Sequence, residues 1–231
     1  MPRRRYNSPR ADGASGGGAI ATDGPDANDP VLEEYARLAP RYDSRWAAYV
    51  EASVRETLSR LDLASTGALL DIGCGTGALL GAVAAASPGV ALTGADPSPE
   101  MLAVARQRLG AAATLECAPA ERLPFADGAF DIVVSTSALH FFRRPDAALA
   151  EAGRVLAPGG RIVVTDWCRD YLTIRLLDLY LRVFNRAHWR AYSAAECRRL
   201  LADAGFEAIA IERYKISPLW GMMTATARKP A

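Results

Sequence analysis

The chain has 231 residues, with 27 Lys and Arg against 26 Asp and Glu, which gives a formal net charge of +1. This balance excludes a protein that coats a polyanion, and it predicts no nucleic-acid partner. Half of the residues are hydrophobic and 23% are charged, values typical of a globular domain with a substantial core. The four cysteines form no CxxC pair and have no histidine at metal-ligand spacing, so we expect reduced thiols, a cytoplasmic protein and no metal site.

The first 30 residues differ in composition from the rest of the chain. They contain five of the 19 glycines and four of the 14 prolines, but almost no large aliphatic side chains. Such a segment does not offset the entropy that it loses on ordering. We therefore predict a disordered tail over residues 1–30.

Two stretches of the sequence bear on export and on membrane insertion. No apolar run of signal-peptide length follows the arginines at positions 3–5, which predicts no export. The stretch 72–95 carries no charged residue, but six glycines and Pro88 argue against a continuous spanning helix. The sequence thus predicts no stable membrane insertion.

Helical periodicity begins after the tail. Asp43 and Ser44 are candidate helix caps, and apolar residues then recur at spacings of three and four, namely Trp46, Tyr49, Val50, Val54, Leu58 and Leu61. This stripe predicts that residues 31–64 form helices that pack on the remainder of the chain. The helical spacing indicates that Trp46 and Tyr49 belong to the core.

Short apolar runs then alternate with helical stretches, a pattern typical of a parallel sheet with helices on both faces. The predicted strands are 68–72, 90–96, 113–117, 130–135 and 161–166, and helices begin at Ser98 and Pro145. A helical insertion over 168–204 contains an apolar helix at 171–186 and a capping box from Ser193 to Glu196. Two strands, 206–213 and 220–228, close the chain within 205–231. Their short connection predicts that the last strand is antiparallel.

A glycine-rich turn follows the first predicted strand. Gly73, Gly75 and Gly77 open the next helix, where glycine lets the backbone approach a ligand closely. Gly73 and Gly75 together with Ala78 also satisfy the loose dinucleotide pattern G-x-G-x-x-G/A, so a nicotinamide cofactor is one alternative. Asp71 disfavours it, because a carboxylate repels a pyrophosphate but suits an ammonium or sulfonium cation, and S-adenosylmethionine carries both. Asp96 ends the second strand, where a carboxylate can accept hydrogen bonds from ribose hydroxyls.

Four ordered segments carry a family resemblance. They are LLDIGCGTG at 69–77, AERLPFADGAFD at 120–131, SALHFF at 137–142 and EAGRVLAPGGRIVVTD at 151–166. Over residues 65–167 the chain resembles the class I S-adenosylmethionine-dependent methyltransferases, in particular the small-molecule subgroup that includes the menaquinone and ubiquinone enzymes. The resemblance implies a single α/β, Rossmann-like domain over residues 31–231, with 31–64 as a helical lid and 65–167 as the cofactor-binding core.

The resemblance also implies a set of residues that bind S-adenosylmethionine. The glycine loop, with Cys74, would lie under the methionine part, and Asp96 with Pro97 would hold the ribose. Met101 would flank the adenine. The remaining expected contacts are Tyr42, Asp71, Ala120, Glu121 and Ser135. One position departs from the family, because Pro119 stands where similar sequences often have an aspartate for the adenine amino group.

Candidates for the chemistry lie at the carboxyl ends of the predicted strands, where open α/β sheets bind ligands. His140 follows the fourth strand and is a candidate base or substrate-orienting group, with simple packing as the alternative. Asp166 ends the fifth strand and is the second catalytic candidate, with helix capping as its alternative. Trp167, Tyr171 and Leu172 are candidate substrate contacts, whereas His188 is expected at the surface.

These residues predict methyl transfer from S-adenosylmethionine to a small, partly apolar acceptor by in-line displacement. Two alternatives remain open, a cofactor-binding regulator without turnover and a nicotinamide-dependent dehydrogenase. The acceptor is expected to be the main partner of a monomer or homodimer. The sequence leaves open whether oxygen, nitrogen, sulfur or carbon receives the methyl group.

Overall fold

The structure, a computed structural model, describes residues 30–185 and 188–231. The predicted disordered tail lies outside the described residues except for Pro30. Seven strands are present in the described part of the chain: β1 (Ala68–Ile72), β2 (Ala91–Asp96), β3 (Ala113–Cys117), β4 (Phe130–Thr136), β5 (Leu156–Trp167), β6 (Glu207–Lys215) and β7 (Gly221–Arg228). They form one sheet in the order β3-β2-β1-β4-β5-β7-β6.

Eight α-helices accompany the sheet in the same residues. They are α1 (Pro30–Leu38), α2 (Tyr42–Arg45), α3 (Ala47–Leu58), α4 (Ala78–Ala86), α5 (Pro99–Leu109), α6 (Pro145–Val155), α7 (Leu172–Phe184) and α8 (Ala194–Asp203). Short 3-10 turns occupy Ala39–Arg41, Gly110–Ala112 and Leu139–Phe141. None of the described helices combines the length and the apolar character needed to cross a membrane.

The direction of the strands confirms the predicted α/β fold. The pairs β3–β2, β2–β1, β1–β4 and β4–β5 are parallel, while β7 runs antiparallel to both β5 and β6. Only residues 216–220 connect β6 to β7, too few for a parallel crossover. The fifth strand begins earlier than predicted, because Leu156 already pairs with Phe130. The next pair is Ile132 with Arg161, so the extra residues of this irregularity lie in β5.

The central strands are apolar on both faces, so each face of the sheet packs under helices. Leu70 and Val133 belong to one core cluster, which includes buried residues of α6 and α8. Leu69 and Ile132 point to the opposite face and pack with residues of α4 and α5. Because β1, β2, β4 and β5 are parallel, they end at the same edge of the sheet, which we call the carboxyl edge. The loops that follow these strands meet there.

The helices before the sheet differ from the prediction in their bounds. The candidate caps Asp43 and Ser44 lie inside α2, a turn at Trp46 separates α2 from α3, and α3 ends at Leu58. Trp46, expected in the core, is 37% exposed. Thr57 fixes α3 to the sheet, since its Oγ1 donates to Thr165 Oγ1 at 2.8 Å. Both threonines are fully buried.

Gly94 in β2 provides a test of the packing beneath the glycine loop. A Cβ at this position would lie 2.7 Å from Cys74 Sγ and 2.8 Å from a Leu80 methyl group. We expect Gly94→Ala to lower the free energy of unfolding by about 1–3 kcal/mol through overpacking. Gly89→Ala is the control, because a Cβ at Gly89 would meet nothing within 4 Å. Equal denaturation midpoints for the two variants would contradict this packing.

Candidate functional site

The glycine loop is held tightly against the carboxyl edge of the sheet. Gly73 N–H and Cys74 N–H both donate to Ala95 O, at 2.8 and 3.1 Å. Gly73 has a φ of +72°, and a Cβ on it would lie 2.5 Å from Ala138 Cβ. Any other residue would therefore be strained and would clash with the loop after β4. At Gly75, by contrast, a Cβ would meet nothing within 4 Å, so the backbone there borders open space.

The carboxyl group of Asp71 lies buried beneath this loop. Only 2% of the residue is exposed, and its Oδ1 has no hydrogen-bond partner among the described residues. Burial disfavours the charged form and, together with the nearby Asp96 carboxylate, raises the pKa of Asp71 to about 8. A cation at Oδ1 would remove this penalty.

Asp96 has a different environment. Its Oδ2 accepts a hydrogen bond from Gly75 N–H and its Oδ1 from Ser98 N–H, each at 2.9 Å. Burial raises the pKa of Asp96, and these two backbone donors oppose the rise. Asp96 thus braces the glycine loop and the start of α5. Each carboxylate oxygen has a second lone pair that can accept a further hydrogen bond.

A cavity of about 620 Å³ opens above these groups, and we call it the cofactor cavity. Most of the residues that the sequence proposed for the cofactor line it. They are Tyr42, Asp71, Gly73, Cys74, Gly75, Asp96, Pro97, Met101, Ala120 and Glu121. Their binding roles remain predictions. Pro119 also lines the cavity, at the position where similar sequences have an aspartate.

Two of the proposed cofactor residues do not reach the cofactor cavity. Gly77 caps α4 with a φ of +74°, and a Cβ there would lie 2.8 Å from a Leu109 methyl group. Ser135 lies inside β4 rather than after it, and its buried Oγ has no partner among the described residues. The neighbouring Thr136 and Ser137 line the cavity instead. Gly77 therefore serves packing, and the geometry gives Ser135 no contact with the cavity.

A second cavity of about 400 Å³ adjoins the first, and we call it the acceptor cavity. The two cavities share five lining residues, Tyr35, Tyr42, Tyr49, Ser137 and Phe141. The other lining residues of the acceptor cavity are mainly apolar or aromatic, with Glu34, Thr173 and Asn185 as polar exceptions. The apolar and aromatic ones include Trp46, Trp167, Leu177, Leu181 and Trp220. The shared residues form a junction, where a ligand in one cavity can contact a ligand in the other.

The structure pairs the two catalytic candidates, which are 26 residues apart in the chain. His140 Nδ1 lies 2.6 Å from Asp166 Oδ1, and His140 N–H donates to Asp166 Oδ2 at 2.9 Å. Trp167 N–H also donates to Oδ1, at 2.6 Å. A carboxylate with these donors holds the proton on Nδ1, so Nε2 is the hydrogen-bond acceptor of the ring. Both side chains are buried, and His140 lines the acceptor cavity.

Tyr49 connects the lid to this pair, a role that its helical spacing did not reveal. Its hydroxyl accepts a hydrogen bond from Trp167 Nε1 at 2.8 Å and lies 2.6 Å from Ser137 Oγ. The Trp167 ring in turn stacks on His140, with centroids 4.4 Å apart. Burial is the main reason that the pKa of Tyr49 is raised above its ordinary value, so the hydroxyl stays protonated.

The lid also bonds directly to the glycine loop. Thr76 Oγ1 donates to Asp43 Oδ1 at 2.8 Å, and Arg108 of α5 forms an ion pair with the other oxygen of Asp43. Arg108 also donates to Thr76 O at 3.0 Å. The sequence pointed to Asp43 only as a helix cap. The long-range contact fixes α2 above the cofactor cavity.

Three expectations about the acceptor side need correction. Leu172 is 69% exposed, and Tyr171 packs on Gly221, so neither lines a cavity. The helix α7 begins at Leu172, and its cavity-facing residues are Thr173, Leu177 and Leu181, one turn apart. Trp167 does line the acceptor cavity, as expected.

His188 is the third correction, because it is buried rather than on the surface. Only 6% of the residue is exposed, and its Nε2 lies 2.8 Å from Asp178 Oδ1. It lines the acceptor cavity beside Trp167, whose ring centroid is 5.7 Å away.

The residues of the cofactor cavity fit S-adenosylmethionine. The unpartnered Asp71 Oδ1 suits its ammonium group, and the open backbone at Gly75 leaves room for the methionine part. Asp96 retains acceptor capacity for ribose hydroxyls, and Met101 supplies an apolar wall for a flat base. Within the described residues, no cluster of three or more His, Cys, Asp or Glu side chains is suited to a metal ion.

We expect Asp71→Asn to alter how the stability of the ligand-free protein depends on pH. Between about pH 4 and pH 8, a carboxyl group whose pKa is about 8 in the folded protein keeps a proton that the same group has released in the unfolded chain. Its contribution to stability is therefore present below about pH 4 and is lost as the pH rises toward about 8. The melting temperature of the variant should fall less than that of the wild type between these values. Asp203→Asn, on an exposed position, is the control, and an unchanged pH dependence in Asp71→Asn would contradict the assignment.

Comparisons with known proteins agree with this geometry. A family described as a methyltransferase domain matches residues 70–164. The chain is 34% identical to the malonyl-[acyl-carrier protein] O-methyltransferase of Geobacter sulfurreducens over 196 residues, which cover 78% of this chain and 71% of that protein. It is 40% identical to the demethylmenaquinone methyltransferase of Thermus thermophilus over 142 residues, 58% of this chain and 64% of that protein. The chain thus spans slightly less than two thirds of the Thermus protein.

A solved structure with the same fold is phosphoethanolamine N-methyltransferase 2 of Haemonchus contortus, in complex with phosphomonomethylethanolamine and S-adenosylhomocysteine. It superposes with a TM-score of 0.71 at 18% identity, over 87% of this chain and 60% of that chain. This likeness concerns the fold alone, and the family is given by the relatives in sequence. The chain therefore belongs to the class I S-adenosylmethionine-dependent methyltransferases, and S-adenosylmethionine is its cofactor.

Proposed function

We propose that this protein transfers a methyl group from S-adenosylmethionine to a small, partly apolar acceptor bound in the acceptor cavity. The observation that carries the proposal is the junction of the two cavities at Tyr35, Tyr42, Tyr49, Ser137 and Phe141. In-line displacement needs the acceptor and the methyl group to meet from opposite sides with water excluded. The four aromatic side chains and the serine at this junction would let the acceptor meet the methyl group and would keep water away from both.

The residues of the chain have distinct parts in the proposed reaction. Bound S-adenosylmethionine supplies an electrophilic methyl group. Asp71 and Asp96 hold the cofactor through its ammonium group and its ribose. His140 accepts the proton of an acceptor that arrives protonated, because Asp166 fixes its Nδ1 proton and leaves Nε2 as the base. Tyr49 and Trp167 keep the His140 ring in place through the hydrogen bond between them and the stacking of Trp167 on the ring.

The acceptor class follows from the walls of the cavity. Trp46, Trp167 and Trp220 provide flat apolar surfaces, and Leu177 and Leu181 cover one side. An aromatic or otherwise unsaturated small molecule fits such walls better than a highly charged one. The two relatives in sequence are named for demethylmenaquinone and for malonyl-[acyl-carrier protein], so the proposed acceptor class rests on the walls of the cavity.

The proposal is tested by a search for turnover. Purified full-length protein is incubated with S-adenosylmethionine and a panel of quinols, phenols, amines and carboxylic acids, and release of S-adenosylhomocysteine is measured by mass spectrometry. Release that depends on one acceptor class supports the proposal. Tight cofactor binding with no release from any class would favour a cofactor-binding regulator.

We expect Asp96→Ala to weaken the binding of S-adenosylmethionine by about 1.5–3 kcal/mol, the range for hydrogen bonds to a charged group. Calorimetry measures the affinity. Because Asp96 also accepts from Gly75 N–H and Ser98 N–H, a melting curve must show that the variant is folded at the temperature used. Asp203→Ala, exposed and remote from the cavity, should bind like the wild type. Unchanged affinity in folded Asp96→Ala would remove Asp96 from the ribose site.

We expect His140→Gln to slow turnover by about 10²–10⁴-fold with little change in cofactor affinity, as for loss of a general base. The decline of wild-type turnover on the acidic side of the pH profile should disappear in the variant. Asp166→Asn should also slow turnover, because it no longer fixes the His140 tautomer. The base assignment fails if turnover and melting temperature fall together, with the pH profile unchanged.

A further inference from the structure

The outward face of α7 is apolar, whereas a surface helix usually turns its apolar residues toward a core. Six of its large side chains are more than half exposed: Leu172, Leu176, Leu179, Tyr180, Val183 and Phe184. Leucine or valine recurs at positions 172, 176, 179 and 183, a spacing that places these side chains in one stripe along the helix. A contiguous exposed apolar surface of this kind marks an interaction site.

The inward face of the same helix carries its polar contacts. Asp178 is buried, and its Oδ1 accepts from Ala191 N–H at 2.6 Å and lies 2.8 Å from His188 Nε2. Asp178 is the only acidic residue of α7. The outward face of the helix therefore has no negative charge.

Two arginines border the apolar stripe on one side. Arg175 and Arg182 are seven residues apart, so they lie on the same flank of the helix. Both are exposed, and neither forms an ion pair with another described residue. Their aliphatic stems can lie along the apolar surface while the guanidinium groups contact anions beside it. The outward side of α7 thus combines an apolar stripe with positive charge that no carboxylate neutralises.

Composition and charge distinguish the partners that fit such a face. The segment 1–29 has only three large apolar side chains, Met1, Tyr6 and Ile20, too far apart to cover a stripe of about three turns. A second copy of α7 would bring two more arginines and no exposed carboxylate, so like charges would meet beside the stripe. The headgroups of anionic phospholipids supply negative charge, and the acyl chains behind them accept apolar side chains.

We propose that α7 docks the protein on the surface of an anionic lipid bilayer, with the helix in the plane of the headgroups. The helix has 13 residues, too few to span the hydrocarbon core, so the docking is peripheral and reversible. The opposite side of α7 lines the acceptor cavity, which docking therefore places directly behind the lipid-facing helix. Docking does not depend on the proposed methyl transfer, and it is measured without acceptor or cofactor.

Vesicle sedimentation tests the apolar stripe. Full-length protein is mixed with sucrose-loaded vesicles made of equal parts of phosphatidylcholine and phosphatidylglycerol, and the sedimented fraction gives the affinity. We expect Leu176→Gln combined with Val183→Gln to bind these vesicles at least about 10-fold more weakly than the wild type, because two large apolar side chains no longer leave water. Both positions are exposed, so the melting temperature of this variant should match that of the wild type.

The role of charge has its own matched pair of variants. Arg175→Gln combined with Arg182→Gln should weaken binding to the anionic vesicles by about 5- to 30-fold, and the wild type should bind vesicles of phosphatidylcholine alone more weakly by a similar factor. Arg106→Gln combined with Arg199→Gln removes the same charge from exposed positions on α5 and α8, and this control should bind like the wild type. Added salt should weaken wild-type binding.

The proposal is overturned if the wild type does not bind the anionic vesicles, or if the variant at Leu176 and Val183 binds them equally well. Equal binding to neutral and anionic vesicles would overturn the choice of an anionic surface. Light scattering supplies a further test, since a wild-type dimer that the same variant converts to a monomer would assign this face to a second copy. None of these outcomes changes the release of S-adenosylhomocysteine from an acceptor in solution, so docking and methyl transfer fail independently.

Discussion

The close contact between Gly73 and Ala138 is the constraint on which the site depends. Only a residue without a Cβ lets the loop after β1 approach the loop after β4 this closely. The loop after β4 continues into the turn Leu139–Phe141, which carries His140 and Phe141. Because the two loops touch, the cofactor cavity and the acceptor cavity share walls instead of lying apart on the carboxyl edge. The packing of Gly73 against Ala138 thus helps to set the relative position of the two cavities.

The helices over residues 31–64 meet the rest of the chain through polar and apolar contacts. Asp43 bonds to Thr76 and Arg108, and Tyr49 bonds to Trp167. Apolar residues of α3 and of the segment after it pack against the core cluster that includes residues of α4 and α5. Together these contacts place Tyr49 at the junction of the two cavities.

Sequence reasoning succeeded where local pattern decides the structure. The strand over residues 68–72 and the capping box at Ser193 depend on neighbours in the chain, and both are present. It failed where long-range geometry decides. The pairing of His140 with Asp166 joins residues on different strand ends, and periodicity carries no signal for it. For α7, residues of nearly the same hydrophobicity occupy several faces, so the pattern could not tell the exposed Leu172 from the cavity-facing Leu177.

Four buried aspartates show how the chain divides structure from binding. Asp166 and Asp178 accept donors from histidine rings and backbone N–H groups, and Asp96 accepts from two backbone N–H groups. These three carboxylates are satisfied by the fold itself, and each fixes a loop or a ring. Asp71 has no such donor for its Oδ1 among the described residues, and burial together with the nearby Asp96 carboxylate raises its pKa to about 8. The least satisfied of these four carboxyl groups is therefore the one that we propose as the partner of the cofactor's ammonium group.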